Sequence, residues 1–92
     1  MGVEYVVDYI LKHIGNLEKV YLVGKLAQGQ DCDIIDLVLV GDNLNKVFLL
    51  EQIEKTETKI GKKVRYVIYS SQEFDVNKIK DTRVKPLLLW TK

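Results

Sequence analysis

The residues of this chain best suited to chemistry crowd into one block, Val20 to Gly41, VYLVGKLAQGQDCDIIDLVLVG. Gly24 and Gly29 flank a polar loop, and glycine lets backbone N–H groups come close to a phosphate. Lys25 adds a single positive charge to that loop, able to meet a phosphate as a point charge. Asp31 and Asp33 make an Asp-x-Asp pair whose side chains share a face in an extended segment. Asp36 stands apart, between Ile35 and Leu37, and a carboxylate in an apolar strand must be hydrogen-bonded, paired or open to water. Lys25, near the end of the neighbouring strand, is its natural partner. From the residues alone, Asp36 either lines an open groove or closes a structural salt bridge. His13 is the sole histidine and has no nucleophile beside it. Its place near the end of a helix suits a favourable charge–dipole contact.

The composition closes off several other chemistries. Ninety-two residues make one small domain. With 14 Lys and Arg against 13 Asp and Glu the net charge is +1, which gives no whole-molecule field for nucleic acid or an anionic membrane. The lysines at Lys62-Lys63 and the basic residues Lys78, Lys80, Arg83 and Lys85 read as solvated ends of elements. A lone Cys32 excludes an internal disulfide, and one histidine excludes a Cys/His zinc site. No apolar run is long enough to cross a bilayer, and the N-terminus MGVEYVVDYI carries Glu4 and Asp8 where a signal peptide is basic. A soluble cytoplasmic protein is expected.

The elements that would position the block follow from periodicity. Val3, Val6, Val7, Ile10, Leu11 and Ile14 recur at helical spacing and stop at Gly15-Asn16. A short strand is expected over Lys19 to Gly24, and a longer one over Asp33 to Val40. The second is nearly all apolar and hence central and buried on both faces. Gly41-Asp42-Asn43 reads as a turn whose Asp or Asn caps the next helix. Leu44, Val47, Leu50, Ile53, Glu57 and Ile60 mark that helix, widened by Phe48 and Leu49, with Gly61 placed to end it in the left-handed conformation. Lys63 to Tyr69 alternates as a strand, Ser70 or Ser71 followed by Gln72-Glu73-Phe74 reads as the capped start of a short helix, and Pro86 to Trp90 suits an edge strand. Tyr66, Tyr69 and Trp90 read as packing residues.

The order helix, strand, glycine loop, strand with internal Asp, helix, strand resembles the minimal nucleotidyltransferase domain of the polymerase-beta-like superfamily. That family's signature is Gly-Ser, a short helical turn ending in Arg-Gly, then Asp-x-Asp on the next strand. Gly24 matches the first glycine, Gly29 the second, and Asp36 with Leu37 to Gly41 the second aspartate and the apolar run behind it. The resemblance spans essentially the whole chain and implies nucleotide contacts at Gly24, Lys25, Gly29 and Asp36. Its chemical residues depart from the signature. Lys25 stands where the family has serine, Gln28 where it has arginine, and Ile34 where it has the first metal aspartate. The third carboxylate is expected on the strand Val64 to Tyr69, which offers Arg65 and no acid. Phosphoryl transfer of this kind needs paired carboxylates to grip the Mg²⁺ ions that bridge a triphosphate, and Ile34 supplies no oxygen to such a cation. If the site is active, Asp36 with Asp33 or Asp31 would hold the metal; a rival register takes Asp31-Cys32-Asp33 itself as the family's Asp-x-Asp. That pair falls too soon after Gly29 for the family's spacing and leaves Asp36 unexplained.

The second half has a narrower resemblance. Val64 to Tyr69 followed by Ser71-Gln72-Glu73-Phe74, with the closing Pro86 to Trp90, resembles nucleotidyltransferase-like domains attached to winged-helix transcriptional regulators. The expectation is therefore an α/β (α+β) fold, a compact nucleotidyltransferase-like sandwich with a mixed β-sheet and flanking helices. It is expected to form a single domain over residues 1–92, with the C-terminal domain of a longer regulator as the alternative. The expected function is a catalytically silent ligand-sensing or protein-interaction module of a transcriptional regulator, without a cofactor. Its expected partner is a winged-helix DNA-binding domain or another protein, with no direct binding of DNA and no membrane. The competing expectation is a small active nucleotidyltransferase of the antitoxin-like kind, which uses Mg²⁺ to move a nucleotide from an NTP to a protein.

Overall fold

The computed structural model describes Val7, Asp8, residues 14–75, Asn77 and residues 85–92. Strands β1 (Asn16–Val23), β2 (Ile34–Asp42), β3 (Lys63–Tyr69) and β4 (Leu87–Thr91) form one sheet, and helix α1 (Lys46–Ile60) links β2 to β3. A 3-10 turn over Leu26–Gln28 follows β1. The strand order is β3-β2-β1-β4. β1 runs antiparallel to both β2 and β4, whereas β2 and β3 are parallel. The sheet is thus mixed, as the sequence implies. The strand that bears Asp36 lies beside the strand that leads into Gly24.

The pattern of β2 explains its central place. Ile35, Leu37 and Leu39 point to one face and pack with Val20, Leu22, Val64, Leu49 and Ile53 into the main core beneath α1. Val38 and Val40 point to the other face and join Tyr21 in a second, smaller cluster that Val23, Tyr69 and Phe74 cover. Phe74 stacks on Tyr21 with ring centroids 5.4 Å apart. An apolar residue at nearly every position is what burial on both faces demands.

Four local expectations are corrected. β1 begins at Asn16, earlier than Lys19, and β2 continues through Gly41 and Asp42, because Asn16 and Leu17 pair with Asp42 and Gly41 across a bulge at Leu17/Lys19. The turn therefore starts at Asn43, whose φ is 54°. The helix cap is Asn45, two residues further on, where its Oδ1 accepts from the Phe48 N–H at 3.0 Å. The buried stripe of α1 is also rotated from the expected one. It comprises Leu49, Gln52, Ile53 and Thr56, while Val47 and Leu50 are 71% and 50% exposed. Thr56 tolerates burial because its hydroxyl donates to the Gln52 carbonyl at 2.7 Å.

Other details follow the sequence. Gly61 ends α1 at φ 67°, its N–H donating to the Glu57 carbonyl. Ser70 and Glu73 form a reciprocal capping box: the Ser70 N–H donates to Glu73 Oε1 and the Glu73 N–H to Ser70 Oγ. The expected short helix after this box is corrected: the box closes a single turn, and no helix follows over residues 71–75. Of the expected first helix, Val7 and Asp8 are helical and Ile14 is fully buried; its remaining residues, His13 among them, lie outside those described. The basic run Lys78 to Arg83 also lies outside them. No helix among the described residues is long and apolar enough to cross a membrane.

Candidate functional site

Asp36 enters the site from β2, opposite Val23 of β1 on one side and Arg65 of β3 on the other. Strand neighbours in register share a face, so a long basic side chain at position 65 reaches a carboxylate at 36 without distortion. Arg65 Nε donates to Asp36 Oδ1 at 2.8 Å and Nη2 to Oδ2 at 3.1 Å. This is the bidentate, planar match that guanidinium makes with carboxylate and that lysine does not. The hydrogen bond to Asp36, and then its charge, raise the Arg65 pKa further above its ordinary value. Arg65 stays charged at any pH the protein meets. Asp36 is mostly covered, with 23% of its side chain exposed against 66% for Arg65.

The partner of Asp36 is therefore Arg65, and the expected pairing with Lys25 is corrected. Lys25 is exposed and opens the 3-10 turn, where its carbonyl accepts from the Gln28 and Gln30 N–H groups at 3.1 and 3.0 Å. Gly24, at φ 77°, lies against the carboxylate, since a Cβ on it would come 2.6 Å from Asp36 Oδ2. Gly29 is left-handed for a different reason: it closes the turn and its N–H donates to the Leu26 carbonyl at 3.0 Å. The N–H groups of Gln28, Gly29 and Gln30 are thus spent inside the loop. What the structure brings together is Gly24, Asp36 and Arg65, with Lys25 beside them in sequence only.

A Gly24→Ala variant should separate this packing from the rest of the fold. Its Cβ forces the Asp36 carboxylate aside and places alanine at a positive φ, a strain of about 1–2 kcal/mol. Loss of the cross-strand Arg65–Asp36 side-chain signals in NMR, with the β1–β2 amide pairing retained, is the expected outcome. An unshifted Arg65 Nε resonance would refute it.

The donor set does not suit a divalent cation. Both Asp36 oxygens face the guanidinium, and Ile34, two residues away on the same strand, offers no oxygen. Asp31 and Asp33 precede β2 and are exposed. Among the described residues no group of three or more His, Cys, Asp or Glu is placed to hold a metal.

A groove elsewhere in the sheet was not foreseen. An open groove of about 410 Å³ lies at the carboxyl ends of β2 and β3, lined by Asp42, Leu44, Lys46, Ile68, Ser70 and Glu73 among others. It is roughly 20 Å along β2 from Asp36, taking ~3.3 Å per strand residue. The β2–α1–β3 crossover is the signal that could have found it, because ligands of parallel sheets gather at strand carboxyl ends. Its polar groups are largely engaged: the Ser71 N–H and hydroxyl both donate to Asp42, and Ser70 and Glu73 bond each other. The Gly24–Asp36–Arg65 cluster lies toward the opposite end of β2.

The mixed four-stranded sheet, its crossover helix and the glycine turn leading to Asp36 make this a nucleotidyltransferase-like α+β fold. The similar solved structures are specific. One is a mutant of the toxin–antitoxin pair MntA-HpeT, with TM-score 0.71 and 17% identity over 100% of this chain and 74% of that one. Another is a tri-AMPylated HEPN toxin of Shewanella oneidensis in complex with MNT antitoxin, with TM-score 0.62 and 14% identity over 97% of this chain and 69% of that one. A Sulfolobus solfataricus protein assigned as a nucleotidyltransferase gives TM-score 0.61 and 24% identity over 97% of this chain and 77% of that one. No family model and no curated protein sequence matches the chain.

Proposed function

We propose that this chain is a nucleotidyltransferase-fold module of the antitoxin kind that acts by binding a protein partner and does not itself transfer nucleotides. The observation that carries the reading is the Arg65–Asp36 pair, which engages the one carboxylate matching the family's metal ligands. In-line displacement at a triphosphate requires two cations held by several oxygens, and the strand positions that would supply them hold Ile34 and Arg65. The toxin–antitoxin neighbours support a protein partner. The resemblance to domains of winged-helix regulators supports a version in which the partner is a DNA-binding domain, in the same chain or another.

A second reading is that the module does transfer a nucleotide to a partner. It is favoured by the neighbour in which an MNT antitoxin accompanies an AMPylated toxin. The two readings separate in one assay, incubation of the chain and a co-expressed partner with α-labelled ATP and Mg²⁺ or Mn²⁺. The proposal expects a stable complex and no label on either protein. Label transfer that is lost in Asp36→Asn would replace it with the enzyme reading, with Mg²⁺ as cofactor.

A further inference from the structure

The family's architecture implies a divalent cation at this end of the sheet, and the geometry here shows what stands in its place. Position 65 is directly beside position 36 on the neighbouring parallel strand. Its guanidinium covers both carboxylate oxygens, at 2.8 and 3.1 Å. Gly24 closes on Oδ2 from a further side, near enough that a single added carbon would sit 2.6 Å away. A Mg²⁺ ion needs oxygen ligands at ~2.0–2.1 Å in near-octahedral array and keeps a shell of waters. Little of the Asp36 carboxylate is left to receive it.

We propose that Arg65 is a built-in counter-ion that holds the Asp36 carboxylate in place of a divalent cation, and that its charge keeps metal off this carboxylate. Reversing that charge should expose a metal site already shaped by the sheet. Adjacent strands run ~4.8 Å apart, so an acid at position 65 faces Asp36 across one strand spacing, a separation one cation can bridge. The 66% exposure of the Arg65 side chain means that the substitution leaves no cavity behind. The inference rests on the reading of a silent site, but its readout is metal binding and not activity.

The test is Mn²⁺ titration followed by paramagnetic broadening of backbone amides, on wild type, Arg65→Asp, Arg65→Gln and Asp36→Asn. Wild type should show no broadening centred on residues 36 and 65. Arg65→Asp should show it there, with affinity at least about tenfold above wild type, ~1.4 kcal/mol, and lose it when combined with Asp36→Asn. Arg65→Gln, the milder change, should gain a part of that affinity and carries the test if the reversal variant does not fold. Broadening in wild type that Asp36→Asn removes would overturn the inference, as would an Arg65→Asp or Arg65→Gln protein no better than wild type. Metal bound at Asp36 without label transfer sinks this inference and spares the silent reading. Label transfer with no metal at Asp36 does the reverse.

Discussion

A Gly41→Val chain is expected to lose a large share of its stability. Gly41 lies in β2 opposite Leu17, and a Cβ there would sit 2.5 Å from the Asn16 carbonyl oxygen and 3.0 Å from the Leu17 Cα. Both are backbone atoms, so no rotamer change relieves the clash; β1 must move away from β2. Overpacking of this type costs about 1–3 kcal/mol and more when backbone is displaced, against a total of roughly 5–15 kcal/mol for a natural domain. Urea denaturation followed by circular dichroism should show the midpoint falling sharply or no transition at all. Gly61→Ala is the contrast. Nothing lies within 4 Å of its added carbon, so only the positive φ is strained, at about 1 kcal/mol. Equal midpoints for Gly41→Val and wild type would mean that the Asn16–Leu17 extension of β1 is not paired as described.

Leu39→Ala should be the most damaging truncation in the core, at about 2–5 kcal/mol. Leu39 is fully buried at the middle of the central strand, between Val20 and Ile68 in register. Neighbours held by two ladders cannot collapse into the space it leaves. Leu50→Ala, on the exposed side of α1, should fall within about 0.5 kcal/mol of wild type. Denaturant titration of the two variants decides the matter, and comparable losses would show that the outer face of α1 is covered by something in solution.

These contrasts mark where the sequence could be read and where it could not. β3 lies where its alternation puts it, over Lys63–Tyr69, and Gly61 closes α1 because only a left-handed residue ends a helix in that way. Both are local signals. The face of α1 is not local: Val47 and Leu50 match helical spacing as well as Leu49 and Ile53 do, and only the position of the sheet selects between them. The extension of β1 depends likewise on Gly41, a residue that in isolation signals a turn. Within the site, the fold placed Gly24 against Asp36 as the glycine loop suggests. The ion-pair partner was missed because Lys25 is close in sequence whereas Arg65 is close only through the β2–β3 register. Arg65 was visible as an acid lost from that strand, and its positive charge was the unread half of the same observation.

The strand order also sets a timetable for the growing chain. β1, β2, α1 and β3 emerge from a ribosome in succession and can dock as each appears, since their pairings join neighbours. The outer edge of β1 has to wait for β4, whose partners Lys19 to Leu22 were made some seventy residues earlier. Through that interval a strand rich in valine, leucine and tyrosine shows unpaired N–H and C=O groups to whatever else is being synthesised nearby. Distant closure of this sort is slow. The nascent protein therefore passes through a three-stranded stage whose open flank invites misassociation, and a chaperone or a partner made at the same time would shield it most usefully there.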